Sequence, residues 1–277
     1  MSMMRILLSN DDGIFAPGLA ALAGALGGLG RIIIVAPESP QSAAGHSITL
    51  KGALTVRQVK AAALEGLEAF SVDGSPADCV RLAVKNLLDR PVDLVVSGMN
   101  AGSNVGVNVF YSGTVAAAAE AAMLGIPAVA MSASIENEAP FADFVAAAKL
   151  CRSVLERLLA GGLSGGDLIN VNIPCPNSTD SGEKPGLEGI SVVPQSTAEI
   201  SDVYYDETLP SGRRTFRLAD AYSFLAGQDN SDVVSLAAGN ITVTPLHVDM
   251  TNHDRLTALA KWTWPQTSAT DLGHDDR

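Results

Sequence analysis

Met4-Arg5-Ile6-Leu7-Leu8, close to the start of the chain, is a short apolar run that halts at Ser9-Asn10-Asp11-Asp12-Gly13. A continuous apolar run ended by acids and a glycine predicts a buried strand over 4–8. The block 16–28 predicts a helix, since Ala16-Pro17 places proline in its first turn. Arg31 to Ala36, stopped by Pro37, predicts a second buried strand. Extended segments follow at 48–59 and 68–72. Ser75-Pro76-Ala77-Asp78 then has the form of a capping box and predicts a helix start. Val92 to Ser97 and Ile126 to Ser132 are further apolar strands, separated by a helix beginning near Ser112. Residues 140–160 place Phe144, Ala148, Cys151, Val154 and Leu158 at helical spacing. Leu168 to Ile173 reads as the next strand, stopped by Pro174.

Strands alternating with helices imply βαβ units and an α/β fold with a doubly wound, mostly parallel sheet. The pattern changes past residue 174. Asn177 to Gly189 is rich in Ser, Gly, Pro and charge and reads as a loop. Short extended pieces follow at 190–194, 200–205, 213–217 and 241–245, with a helix expected over 252–262. The expected organisation is therefore a core over 1–176 and a β-rich C-terminal extension over 177–265. The extension would serve assembly or cover the site, part of it packing back on the core. A polar tail is expected over 266–277.

Composition narrows the picture. With 277 residues, 47% hydrophobic and 17% charged, the chain can bury a large core. A net charge of −12 argues against DNA as a partner, because no basic surface displaces counterions. Cys79, Cys151 and Cys175 lie in apolar stretches without C-x-x-C spacing, which predicts buried thiols in a reducing compartment. No signal peptide is expected ahead of the first strand. The apolar stretches are broken by Arg31 or Glu120 before reaching the ~20 residues of a membrane span. A soluble, cytoplasmic protein is expected.

Four segments fall at loops after predicted strands, on one edge of the sheet: 10–13, 39–46, 97–102 and 111–114. The first supplies two carboxylates, Asp11 and Asp12; the second and third offer neutral oxygens at Ser42 and Asn100. Oxygen ligands of this kind suit magnesium or manganese. Ser112-Gly113-Thr114 opens an Ala-rich helix, whose N-terminus can hold phosphate. A metal beside a phosphate cradle implies phosphoryl chemistry. Taken singly, each motif also reads as a turn or an ordinary cap. Asn104 and Asn108 read as loop residues among glycines. His46, close to Ser42, is a candidate for proton transfer, whereas His247 reads as structural. Clustered His and Cys of a zinc site are absent, as are Walker and G-x-G-x-x-G cradles.

Taken together, the segments resemble the SurE survival-protein family of metal-dependent nucleoside-monophosphate phosphatases. The matching stretches are Ile6 to Gly13, Ala36-Pro37 through Thr49, Asp73 to Val80, Val95 to Gly102 and Tyr111 to Ala118, with a weaker echo at Ile241 to Leu246. The resemblance implies a Rossmann-like core with one divalent cation per subunit, Mg2+ or Mn2+, held by Asp11, Asp12, Ser42 and Asn100. Ser112, Gly113 and Thr114, with Asn10, would hold the phosphate. Asp11 and Asp12 would be the catalytic residues, Asp12 assisting proton transfer to a water; an aspartyl-phosphate route through Asp11 is the rival. Homodimers or homotetramers joined through the C-terminal region are implied as well. Two departures stand out: Gln41 where some relatives carry a basic residue, and an unmatched charged loop at 178–190. The alternative from another class is a phospho-binding regulatory protein with a receiver-like metal site. Such a domain needs an acceptor aspartate where this chain has Ser97-Gly98-Met99-Asn100.

Overall fold

The computed structural model describes residues 3–174, 187–198, 200–201, 203–218, 223–224 and 230–264. Cys175, most of loop 178–190 and the tail 266–277 lie outside them. The chain divides after Leu246 into a large unit and a small one.

In the large unit the strands are β1 (Arg5–Ser9), β2 (Arg31–Pro37), β3 (Val56–Gln58), β4 (Glu68–Val72), β5 (Leu94–Ala101), β6 (Ala128–Ala133), β7 (Leu168–Ile173), β8 (Gly189–Val192), β9 (Ile200–Ser201), β10 (Tyr204–Thr208), β11 (Arg214–Leu218), β12 (Ser223–Phe224) and β13 (Asn240–Leu246). Nine of them form one sheet in the order β3-β4-β2-β1-β5-β6-β7-β13-β8. From β4 to β7 every pairing is parallel, and β13 returns antiparallel beside β7. β1 to β7 thus form the expected mostly parallel sheet. The chain leaves β1 toward β2 on one side and resumes at β5 on the other. That reversal creates a crevice at the carboxyl ends of β1 and β5, where open α/β sheets bind ligands.

The parallel strands are apolar on both faces because helices cover both. α1 (Pro17–Leu26) and α4 (Phe141–Gly161) share one core with Ile6, Leu8 and Ile34. α2 (Pro76–Leu82) and α3 (Gly113–Met123) share the other with Leu7, Val35 and Val95. α2 starts at the predicted capping box: Asp78 N–H donates to Ser75 Oγ at 3.1 Å, and Ser75 N–H donates to an Asp78 oxygen at 3.0 Å. α3 is buried along almost its whole length, which its run of alanines permits. α4 buries the predicted Phe144, Ala148, Cys151 and Val154. Cys79 and Cys151 are free and buried, and burial pushes the Cys151 thiol up to about 12.

Two expectations change, and one helix is added. Residues 48–55 form no strand, because the Thr49 amide donates to the Asp78 carboxylate rather than to a ladder partner. β5 runs four residues beyond Ser97: after an irregularity at Gly98 and Asn100 it continues to pair with β6. Gly98 permits this, since a Cβ there would sit 2.2 Å from the Met131 carbonyl oxygen. Asn100 is therefore held on a strand, not on a loop. Beyond residue 177, β8 and β13 are strands of the main sheet, and β13 follows a helix unforeseen in the sequence, α5 (Asp232–Ala237).

The small unit contains α6 (His253–Leu259), capped by Asn252, which accepts from the Arg255 amide at 2.8 Å. No helix among the described residues is long and apolar enough to cross a membrane.

Candidate active site

A cleft of about 490 Å³ opens at the crevice between β1 and β5. Asp11 and Asp12 follow β1, Ser42 and Ala43 come from the loop after β2, and Asn100 and Ala101 end β5. Ser103, Asn104, Asn108, Tyr111 and Ser112 lie on the stretch between β5 and α3, and Asn137 lies on the loop after β6. Tyr204 and Leu218, cross-strand partners at the base of the β10–β11 hairpin, complete the wall. Among the described residues no lysine, arginine or histidine lines it.

Gly13 turns the chain after the acidic pair at a φ of +95°, a conformation glycine takes without strain. The Asp11 carbonyl accepts from Gln41 N–H at 2.7 Å, which ties the β1 and β2 loops together. The Asp11 carboxylate accepts from the Thr114 hydroxyl. Burial raises the Asp11 carboxyl above its ordinary value, against the pull of Thr114 and of the Thr114 and Gly113 amides. Gly113 is required for this approach: a Cβ there would lie 2.6 Å from Asp11 Cβ. Asp12 is less enclosed and meets one amide, that of Ala101 at 3.4 Å. Burial, and then the neighbouring Asp11 charge, push Asp12 up to about 6.

Asn100 donates its amide nitrogen to the Gly102 carbonyl at 2.7 Å, leaving its oxygen as the acceptor end. Ser112 caps α3 by accepting from Val115 N–H at 3.1 Å, so its hydroxyl hydrogen is free to donate.

The structure thus brings Asp11, Asp12, Ser42, Asn100 and Ser112 to one cleft. Gly113 and Thr114 lie beside it with their amides turned to Asp11 rather than lining it. Asn10 is fully buried and donates to the Gly13 carbonyl at 2.9 Å; it braces the turn and does not line the cleft. His46 lies outside the lining, its Nε2 2.9 Å from a Glu120 oxygen. Glu120 sits on α3, 2% exposed, and also accepts from Arg81. His46 ties the loop carrying Ser42 to α3.

Sequence reasoning passed over Asn137, Tyr204 and Leu218. Asn137 had a signal, since Glu136-Asn137-Glu138 is a polar loop after a parallel strand, on the same edge as the others. Tyr204 and Leu218 had none; only the hairpin's placement brings them there.

Fold and cleft together define a class: α/β proteins with a ligand cleft at the carboxyl edge of a parallel sheet, lined by an acidic oxygen cluster. The family model described as Survival protein SurE matches residues 6–202. The 5'-nucleotidase SurE of Rhodopirellula baltica is 42% identical over 94% of this chain and 98% of its own length. The 5'-nucleotidase SurE 1 of Thermus thermophilus is 40% identical over 93% and 97%. The crystal structure of the SurE protein from Aquifex aeolicus superposes with a TM-score of 0.76 at 34% identity, covering 92% of this chain and 98% of that one. The chain belongs to the SurE family.

Proposed function

We propose that the protein hydrolyses the phosphate monoester of nucleoside monophosphates, releasing nucleoside and inorganic phosphate, with one divalent metal ion per subunit. The observation that carries this reading is a cleft with two adjacent carboxylates and no basic side chain among its described lining residues. A phosphate dianion placed there would face uncompensated like charge, so a cation has to mediate. The donor set fits one: Asp11 and Asp12 supply charge, Ser42 and Asn100 supply neutral oxygen, and hard oxygen ligands suit Mg2+ or Mn2+. Bound there, the ion would supply Lewis-acid stabilisation of the phosphoryl oxygens.

The protein's own groups divide the remaining work. Ser112 can donate its hydroxyl to a phosphate oxygen from the mouth of α3, whose N-terminal end favours negative charge. Tyr111 and Tyr204 provide aromatic surface on which a nucleobase can stack. Asp12, raised to about 6 and met by one amide, is suited to accept a proton from an attacking water. Asp11 is engaged by Thr114 and by the first amides of α3, which disfavours it as a nucleophile. Direct attack by water is therefore the favoured route over an aspartyl-phosphate. The names of the relatives support a 5'-phosphate as the group removed. The composition fits a cytoplasmic protein, and the exposed hairpin bearing Tyr205 and Phe216 fits a homodimer or homotetramer assembled through the C-terminal region.

Phosphate release from a panel of nucleoside monophosphates, before and after chelation and with Mg2+ or Mn2+ restored, tests the reading. Asp11→Asn should lower turnover by about a hundredfold or more, the scale of losing a charged transition-state stabiliser, with an unchanged circular dichroism spectrum. Absence of phosphate release from every nucleotide in every metal would overturn it.

A further inference from the structure

Asp232, the first residue of α5, is fully buried, and among the described residues no basic side chain pairs with it. Backbone amides meet its charge instead. One carboxylate oxygen accepts from Gly106 N–H at 2.9 Å; the other accepts from Ser196 N–H and Val233 N–H, each at 2.8 Å. Gly106 stands 126 residues away in sequence, in the middle of the stretch that carries Asn104, Asn108, Tyr111 and Ser112 into the cleft. The Gly106 carbonyl is held from the same side, accepting from Gln195 Nε2 at 2.8 Å.

Two residues before Gly106, the start of that stretch is anchored in the sheet. Asn104 N–H donates to Asn172 Oδ1 at 2.7 Å, and its carbonyl accepts from Asn170 Nδ2 at 2.8 Å. Its side-chain amide donates to Ser132 Oγ at 2.8 Å. Asn108, Tyr111 and Ser112 thus follow directly on two anchors, one in the parallel strands and one on a carboxylate from the far end of the chain. Only a carboxylate can accept at both of its oxygens; an asparagine would turn N–H groups toward one of the amides.

We propose that Asp232 is a positioning residue for the substrate side of the cleft: it holds the Gly106 turn so that Asn108, Tyr111 and Ser112 face the phosphate ester. The proposal rests on the nucleotidase reading. Asp232 does not line the cleft and touches no reacting atom.

Asp232→Asn is expected to raise KM for a nucleoside monophosphate about tenfold, the scale of a lost charge-assisted hydrogen bond. Turnover at saturation should stay within about twofold, and the affinity for Mn2+ alone, titrated without nucleotide, should not change. Gln195→Ala, which removes the second hold on Gly106, should raise KM in the same direction by less. Leu155→Ala on α4, buried away from this stretch, serves as the control for mere destabilisation. A folded Asp232→Asn with wild-type KM, or one whose KM rises only as far as in Leu155→Ala, overturns the proposal. If Asp232→Asn does not fold, an unchanged KM in Gln195→Ala overturns it. If the wild-type enzyme releases no phosphate from any nucleotide, it is the nucleotidase reading that fails. Amide exchange then decides this one: faster exchange confined to 102–112 in Asp232→Asn supports the anchor, and unchanged protection there sinks it.

Discussion

Asp11 is gripped by Thr114 and by the first amides of α3, whereas Asp12 meets a single amide from Ala101. Two neighbouring carboxylates are thereby given different environments, and with them different tasks. The raised Asp12 sets a pH dependence whose sign can be worked out. Between its ordinary value and about 6, the folded protein holds a proton that the unfolded chain has released. Stability of the metal-free protein should therefore fall as pH rises through that window. Metal binding needs the carboxylate, so affinity for Mn2+ should climb over the same window and level off above about 6. Calorimetric titration across that range checks both; affinity independent of pH would remove Asp12 from the ligand set. Gly113→Ala should cost about 1–3 kcal/mol, because its methyl overlaps Asp11 and something must shift. Denaturant unfolding with and without Mn2+ measures this, and the loss should be larger with the metal. Asp11, Asp12, Ser42, Asn100 and Ser112 were all legible as candidates, since each ends or follows a segment on one sheet edge. The bracing role of Asn10 was not, because a side chain's partner is a tertiary fact.

α3 shows how an element can read correctly while its use goes unread. Its start at Ser112 and its alanine content announce a buried helix, but its N-terminal amides face Asp11. Two turns on, Glu120 accepts from Arg81 on α2 and pairs with His46, so one buried carboxylate ties α2 and the Ser42 loop to α3. The hydrogen bond from His46, with help from Arg81, holds the Glu120 carboxyl below its ordinary value. The stability it contributes is present above that ordinary value and is lost as pH falls through the folded one. Glu120→Gln should cost about 1–2 kcal/mol at neutral pH, a figure kept low because Arg81 is half exposed. The variant should also unfold less steeply on acidification. His46 next to Ser42 suggested proton transfer, and its place against Glu120 suggests anchoring. His46→Asn should leave the pH–rate profile unaltered in shape, and loss of one limb would restore the proton-transfer role.

Across the whole molecule, the extension expected after residue 176 shares strands with the main sheet. β13 lies between β7 and β8, and Ile241 and Val243 are buried in the same core as α1 and α4. Ile241→Ala should therefore destabilise the entire fold by about 2–5 kcal/mol, as a core truncation does. A single unfolding transition shifted as a unit would bear this out; two transitions would mean that the extension folds apart. The strands and helices of the parallel core were legible in the chain alone, because runs of apolar residues between polar stops are a local property. The acidic pair was legible as well, since Asp11 and Asp12 directly follow the first apolar run. That β5 continues through Gly98, that β13 enters the sheet, that Tyr204 and Leu218 line the cleft and that Asp232 holds Gly106 behind it are facts of the tertiary structure alone. Those outcomes depend on which backbone groups and surfaces meet between segments far apart in the sequence, up to 126 residues for Asp232 and Gly106, and no local pattern records such a meeting.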